Sequence, residues 1–204
     1  MKNVNFNNAK FDKENSVSEE NFMEYIEKEE IGRTIEGEKI EYILLKIFKE
    51  YGFEAEIVDY GKDLVLTLKK KHKFIFSYKT TIKYSIEVKS ILGQNTVSMT
   101  PNEAGTSIRE SSAYALCVVP KDGSIINEDY IKKHTKFVVD IGYKLKNVVD
   151  TFEMGCKWKD GDIFYGDIFY DQKRKRFKIS SIIWGSGINF DGFIKYIMEK
   201  WEKH

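Results

Sequence analysis

Hydrophobic residues recur at helical spacing in the first strongly patterned segment of the chain, EGEKIEYILLKIFKEYG, which covers residues 36–52. A separation of three or four positions places these residues on one face of an amphipathic helix. The residues on this face are Ile40, Leu44, Ile47, Phe48 and Tyr51. Gly52 is typical of a helix C-terminus, so we predict a helix that ends there.

The part of the chain after this helix contains four runs rich in β-branched and aromatic residues. They are residues 53–58, residues 63–70 (DLVLTLKK), residues 73–78 (KFIFSY) and residues 83–91 (KYSIEVKSI). Such residues favour β-strands, and the short polar stretches between the runs suit hairpin turns. The pattern predicts an antiparallel meander from residue 53 to about residue 91.

A second helix and a buried strand are predicted after the meander. In the sequence TPNE, Thr100 fits the N-cap, Pro101 the first turn and Glu103 the capping-box position. We expect this helix to end before Tyr114. The continuous apolar run YALCVVP, residues 114–120, then predicts a strand that is covered on both faces after a crossover helix.

The two ends of the chain have weaker patterns. Residues 1 to about 17 lack periodicity and are predicted to form an arm, and Ser18 fits the N-cap of a short helix over residues 19–29. The run FVVDIGYKLKNVV, residues 137–149, predicts a strand followed by a short helix. From about residue 151, the segments GDIFYGDIFY, DQKRKR and FKISSIIW predict one β-hairpin with a basic turn. A last helix carries Phe193, Ile194, Ile197 and Trp201 on one face.

These elements predict an α/β fold in which a mixed β-sheet is flanked by helices and followed by a C-terminal β-hairpin and helix. We expect three parts. Residues 1–35 form an arm and a short helix, residues 36–150 form the core, and residues 151–204 form a C-terminal hairpin and helix packed on that core.

Composition and charge narrow the class of protein. Hydrophobic residues make up 42% of the 204 residues, with only two prolines, which indicates a globular chain. The formal net charge is +1, so attraction to nucleic acid must come from local patches. Cys117 and Cys156 have no CxxC spacing, and the sequence contains neither a signal peptide pattern nor a long apolar stretch. We therefore predict a cytoplasmic protein without a membrane segment.

Three charged residues on the predicted strands suggest a metal-dependent reaction. Asp63 opens one strand, and Glu87 and Lys89 lie on another with a spacing of two, which directs both side chains to one face. Two carboxylates are suited to holding Mg²⁺ or Mn²⁺ beside a phosphodiester. Lys89 would then orient or deprotonate the attacking water, or neutralise charge on the phosphate. The pattern fits a metal-dependent phosphodiesterase.

Simpler interpretations exist for the same residues. Glu87 and Lys89 would also suit an exposed pair on a half-solvated sheet, and Asp63 would suit a turn after Gly61. Spacing alone favours these interpretations. A second acid-x-lysine triplet begins at Asp171, but it lies in a charged turn without an apolar strand around it, which indicates a solvated role.

The segments GKDLVL, YSIEVKS, VSMTPNEAGTS and YALCVV together resemble the C-terminal domain family of the plant protein NO VEIN, over about residues 37–120. This PD-(D/E)xK nuclease-like family is common in prokaryotic restriction and defence proteins. The resemblance implies a restriction-endonuclease-like core. The positions that match the family pattern are Asp63, Glu87, Lys89, Asn102, Glu103 and Tyr114.

The resemblance also extends the set of candidate site residues. It matches a family Gly-Glu at Gly37-Glu38, which implies Glu38 as a further ligand or catalytic residue, and Glu41 is the rival on the same helix. Asp63 and Glu87 are 24 residues apart, longer than the family pattern, which predicts an extra or extended hairpin and leaves Asp59 as a substitute for Asp63. Asn102 and Glu103 are additional candidates, and for Glu103 we favour helix capping.

A basic run lies in the predicted C-terminal turn. Lys173, Arg174, Lys175 and Arg176, close to Phe169 and Tyr170, suit contacts with a nucleic-acid backbone. They equally suit a charged hairpin tip that protects an edge strand.

The expected function is a Mg²⁺- or Mn²⁺-dependent endonuclease acting on DNA in preference to RNA, in restriction or anti-phage defence. The alternative is an inactive nuclease-fold module that binds nucleic acid or a partner ATPase or helicase subunit. Cleavage of both strands by one metal site per chain would favour a homodimer.

Overall fold

The structure is a computed structural model that describes residues 36–58, 61–71, 79–92, 96–153 and 163–203. The chain divides into two compact units, Met1–Glu36 and Gly37–His204, and the fold described here is that of the second. Several predicted features lie outside the described residues. These are the N-terminal arm, the helix at 19–29, the strand at 73–78, and Asp59 and Cys156.

The described chain contains both helices and strands. Residues 36–50 are helical and form α1. The strands are β1 (Glu54–Ile57), β2 (Leu64–Lys71), β3 (Lys79–Leu92), β4 (Thr96–Met99), β5 (Tyr114–Lys121), β6 (Lys136–Val138), β7 (Ile163–Tyr165), β8 (Ile168–Asp171) and β9 (Arg176–Ser180). The other helices are α2 (Pro101–Glu110), α3 (Glu128–His134), α4 (Ile141–Glu153), α5 (Ser181–Gly185) and α6 (Phe190–Glu202). A 3₁₀ turn, Ser111–Ala113, separates α2 from β5.

Five strands form the first sheet, in the order β1-β2-β3-β5-β6. Strand β3 pairs with β5 in parallel, and the other neighbours pair antiparallel. The parallel pair requires a crossover, which contains α2. This mixed sheet flanked by helices and followed by a C-terminal hairpin and helix confirms the predicted fold class.

Four strands form a second sheet, in the order β4-β9-β8-β7. Strand β4 pairs antiparallel with β9, with Met99 opposite Phe177. The sequence analysis predicted neither β4 nor a second sheet, because the alternating run Thr96–Met99 is too short to be a strong signal. In this run Val97 and Met99 are buried, so the strand is held by packing.

The C-terminal part contains one strand more than the predicted hairpin. The tandem repeat turns on itself at Gly166, which has φ +58°, so that β7 and β8 form a hairpin of their own. The run FKISSIIW is a strand only to Ser180, and its second half is the short helix α5. A further helix, α3, lies between β5 and β6, and Asn127 caps it.

Two hydrophobic clusters cover the two faces of the first sheet. Every residue from Tyr114 to Val119 is buried, and alternate side chains of β5 belong to different clusters. The first cluster contains Phe48 of α1 and Phe193 of α6. The second contains residues of α4 and of the second sheet. Strand β5 is therefore covered on both faces, as its apolar run predicted. None of the described helices is long and apolar enough to cross a membrane.

Candidate functional site

Asp63 is placed next to Glu87 by a long hairpin. Strands β2 and β3 pair antiparallel from Leu64 opposite Ile86 to Lys71 opposite Lys79. The 24-residue separation of Asp63 and Glu87 is therefore an extended hairpin, as predicted. The backbone N–H of Asp63 donates to the carbonyl oxygen of Ile86 at 2.9 Å, and its Oδ2 accepts from the N–H of Val88 at 2.6 Å. Asp63 is thus bonded to the backbone on both sides of Glu87, through its own N–H on one side and its carboxylate on the other.

Strand alternation directs Glu87 and Lys89 to the face opposite Ile86 and Val88. Ile86 and Val88 belong to the first hydrophobic cluster, while the side chain of Glu87 is 2% exposed on the other face. Lys89 Nζ donates to Glu87 Oε1 at 2.5 Å. The burial of Glu87 excludes an exposed pair on a solvated sheet.

Glu103 performs the predicted capping role and also contacts Lys89. Its Oε2 accepts from the N–H of Thr100 at 2.8 Å, and its own N–H donates to Thr100 Oγ1, which completes a capping box. Its Oε1 lies 3.2 Å from Lys89 Nζ. The capping prediction is confirmed, whereas the ion pair with Lys89 was not predicted.

The turn before Asp63 is fixed to α2 and β5. Gly61 has φ +68°, and a Cβ built on it would lie 2.6 Å from Thr106 Oγ1 of α2. Tyr114, at the start of β5, donates its hydroxyl to the carbonyl oxygen of Gly61 at 3.0 Å. A position with no room for a side chain and with a left-handed backbone requires glycine.

Lys62 lies next to the site and was not predicted from the sequence. Its Nζ donates to Glu110 Oε1 at 2.6 Å and to Ser85 Oγ at 3.0 Å. Ser85 lies two positions before Glu87 and is buried, as the alternation of β3 requires. The only sequence signal was the position of Lys62 directly before Asp63, because its partners come from two other elements.

Three carboxylates surround one ammonium at this site. Burial raises the pKa of Glu87 to about 8; Lys89 opposes this shift, and Asp63 and Glu103 add to it. Burial lowers the pKa of Lys89, but Glu87 and Glu103 outweigh burial and raise it above its usual value. The site therefore carries more negative than positive charge and is suited to a further cation.

One oxygen of Glu87 bears on whether a metal ion fits this site. Glu87 Oε2 is buried and has no hydrogen-bond partner among the described residues, and a buried polar atom normally has one. A divalent ion between Asp63 and Glu87 would supply that partner. Within the described ranges, no group of three or more His, Cys, Asp or Glu residues is arranged to hold a metal. The residues fit an ion held by two carboxylates and otherwise hydrated, as Mg²⁺ prefers.

The remaining candidates are less closely connected to this group. Glu38 is exposed on α1, and no hydrogen bond or ion pair among the described residues joins it to Asp63, Glu87 or Lys89. Glu41 lies half-buried almost one turn further along the same helix. Asn102 is exposed, and its Nδ2 faces the Gly61 turn, 3.1 Å from where a Cβ of that glycine would lie.

The basic run forms the exposed turn between β8 and β9. Lys173, Arg174 and Lys175 lie in this turn and Arg176 opens β9. The N–H of Arg174 donates to Asp171 Oδ1 at 2.8 Å, so Asp171 has the role of a turn residue.

The pairing of β4 with β9 gives the position of this turn. Because Met99 lies opposite Phe177, the turn extends past the end of β4, where Thr100 begins α2. The basic turn and Glu103 therefore lie at the same end of the second sheet.

No family model, curated protein or solved structure matches this chain.

Proposed function

We propose that this chain is a Mg²⁺- or Mn²⁺-dependent endonuclease that hydrolyses phosphodiester bonds in DNA. The observation that carries the proposal is the buried carboxylate of Glu87, which has one oxygen bonded to Lys89 and the other without a partner, beside Asp63. Burying a carboxylate is costly, so sites of this kind are more often functional than structural.

Each residue of the group has a role in this chemistry. Asp63 and Glu87 would hold the ion, which when bound polarises a phosphate oxygen and activates a water. Lys89 Nζ, which contacts Glu87, would orient the attacking water and offset the charge that develops on the phosphate. Tyr114 and Lys62 maintain the turn that carries Asp63.

The choice of DNA and the defence context have separate support. The four exposed basic residues at and beside the β8–β9 turn suit a polyanionic backbone, and they lie at the end of the second sheet where α2 begins, with Glu103 in its first turn. The resemblance to the NO VEIN C-terminal domain family supports a role in restriction or anti-phage defence. It also supports a partner ATPase or helicase subunit, and a homodimer would allow cleavage of both strands.

A second function is favoured by one observation. Lys89 already occupies Glu87 Oε1, and the part of the chain that the structure describes contains no ready three-ligand metal group. An inactive nuclease-fold module would bind nucleic acid, or a partner subunit, while Lys89 stays paired with Glu87. Such a protein would bind DNA equally well with and without Mg²⁺.

Plasmid cleavage distinguishes the two functions. The wild type is incubated with supercoiled plasmid in Mg²⁺, Mn²⁺ or EDTA, beside Asp63→Asn, Glu87→Gln and Lys89→Met. Glu54→Gln, which changes an exposed carboxylate of β1, is the matched control. We expect metal-dependent nicking by the wild type and the control, and a loss of at least about 100-fold in the three site variants.

Two other outcomes of this assay would count against the proposed function. Equal cutting by the wild type and the three site variants would contradict the proposed site. Retained DNA binding without any cutting by the wild type would favour the inactive module. The same assay with an RNA of matched sequence measures the preference for DNA.

A further inference from the structure

Lys89 lies between two carboxylates that come from different elements. Glu87 is two residues away on the same strand, and its Oε1 is 2.5 Å from Lys89 Nζ. Glu103 belongs to the first turn of α2, and its Oε1 is 3.2 Å from the same nitrogen. The ammonium therefore links β3 to the start of the crossover helix.

Glu103 is held independently of Lys89. Its second oxygen accepts from the backbone N–H of Thr100, and that bond is part of the capping box. This bond from the backbone of Thr100 therefore fixes the direction in which the carboxylate points. A lysine side chain is long and flexible, so a rigid partner restricts it far more than a mobile one would.

A metal ion at Glu87 would weaken the contact of Lys89 with Glu87 relative to its contact with Glu103. In the proposed function, Glu87 is a ligand, so the ion and Lys89 attract the same carboxylate while repelling each other. Glu103 is not a proposed ligand, and its contact with Lys89 remains when the contact with Glu87 weakens.

We propose that Glu103 is a positioning residue that keeps the Lys89 ammonium in the site after a metal ion binds to Glu87. This inference rests on the proposed function and assigns Glu103 a role beyond helix capping. With Glu103 in place, Lys89 moves towards α2 as the ion binds. Without it, Lys89 depends on Glu87 alone, competes more strongly with the ion and is less well held for the reaction.

Two substitutions separate positioning from capping. Glu103→Gln removes the negative charge facing Lys89 but keeps an acceptor for the N–H of Thr100, because glutamine also serves in capping boxes. Thr100→Ala removes the hydroxyl that caps Glu103 but leaves the contact between Glu103 and Lys89. It is the matched structural control and should lower the Tm by about 2–4 °C with kcat unchanged.

The readouts are the kcat and KM of plasmid cleavage, the Tm, and Mn²⁺ affinity by calorimetry without DNA. For Glu103→Gln we expect kcat to fall about 10- to 100-fold with KM and Tm nearly unchanged. We expect its Mn²⁺ affinity to fall roughly 3- to 10-fold in the wild-type background and to be unchanged in a Lys89→Met background.

The double-mutant cycle decides whether Glu103 acts through Lys89. An equal loss of Mn²⁺ affinity in both backgrounds would show that Glu103 acts on the ion directly, and would overturn the inference. A Glu103→Gln variant with wild-type kcat and affinity would also overturn it, while the nuclease proposal would stand. A wild type that neither binds Mn²⁺ nor cuts would overturn both.

Discussion

Glu87 is an ionisable residue at a buried position, where a charged side chain is unfavourable. A carboxylate is rarely buried without full pairing, yet one of its oxygens has no partner among the described residues. A hydrophobic residue would stabilise the fold more at this position on β3. The unfavourable position of this carboxyl group is the reason for assigning it to the proposed metal site and not to the stability of the fold.

The buried Glu87 predicts an unusual dependence of stability on pH. Its pKa is raised from 4.5 to about 8, mainly by burial. Between these values the folded state keeps a proton that the unfolded state releases, so the free energy of unfolding falls as pH rises. Relative to Glu87→Gln, the wild type should lose up to about 1.4 kcal/mol per pH unit across this window.

Urea unfolding in EDTA, followed by circular dichroism between about pH 5 and about pH 8, measures this difference. Glu54→Gln, which changes an exposed carboxylate, should parallel the wild type. If the curves of the wild type and Glu87→Gln were parallel, Glu87 would not be the buried acid that the structure shows.

The residues of the site differ in how far the sequence could predict them. The shared face of Glu87 and Lys89 follows from strand alternation, and Glu103 as a cap follows from the TPNE pattern. The contact between Glu103 and Lys89 could not be predicted, because it depends on how α2 packs against β3. Lys62 was missed for the same reason: Glu110 and Ser85, its two partners, come from α2 and β3.

At the scale of elements, α2 organises the site from two sides. Its N-terminal cap presents Glu103 to Lys89, and its next turn presents Thr106 to the Gly61 turn that precedes Asp63. The helix thus fixes both the lysine and one proposed ligand. A change in the contact between α2 and the Gly61 turn should therefore affect the proposed metal site.

Gly61→Ala tests this contact, with Gly123→Ala as the matched control. Both glycines have positive φ, +68° and +89°, so both substitutions strain the backbone. Only at Gly61 would the new Cβ meet another atom, Thr106 Oγ1 at 2.6 Å; at Gly123 it would meet none. Thr106 cannot rotate without losing its bond from Arg109 Nη2.

We expect Gly61→Ala to lower the free energy of unfolding by about 1–3 kcal/mol more than Gly123→Ala, and to weaken Mn²⁺ binding. Urea unfolding and calorimetry measure the two effects. Adding Thr106→Ala should recover part of the loss, since it removes the clashing oxygen. Equal effects at both glycines would mean that α2 does not constrain the turn.

The elements that the sequence predicted are the long ones with a clear period. Helices α1, α2 and α6 and strands β2, β3 and β5 follow from helical spacing, capping or apolar runs. Strand β4 and helices α3 and α5 have at most seven residues and weak patterns of their own. Their conformations depend on tertiary contacts, such as the pairing of β4 with β9, which no local pattern contains.

At the scale of the molecule, the described C-terminal segment contributes to both hydrophobic clusters. Phe193 of α6 stacks on Phe137 with ring centroids 3.9 Å apart in the first cluster. Ile168 and Ile179 of the second sheet lie in the second cluster. The β8–β9 hairpin is thus part of the packed fold, and the pairing of β9 with β4 gives its basic turn a fixed position relative to α2.

This fixed position makes the basic turn a testable DNA contact. Lys173 and Lys175 are exposed, and two lysines that neutralise two phosphates would release the counterions bound there. We expect Lys173→Ala/Lys175→Ala to reduce the slope of log affinity against log salt for duplex DNA by up to about 1.8. The matched control is Lys49→Ala/Lys133→Ala, which removes two exposed lysines from α1 and α3.

Fluorescence anisotropy of a short labelled duplex in EDTA measures the slope without cleavage. The control pair should keep the wild-type slope, because its net charge equals that of the turn variant while its basic turn is intact. Equal slopes for the two double variants would show that only the net charge matters. The turn would then be a solvated hairpin tip that protects the edge of the sheet, as the competing interpretation of its sequence holds. A loss confined to the turn variant would instead place the DNA backbone at the end of the second sheet, where α2 begins and Glu103 contacts Lys89.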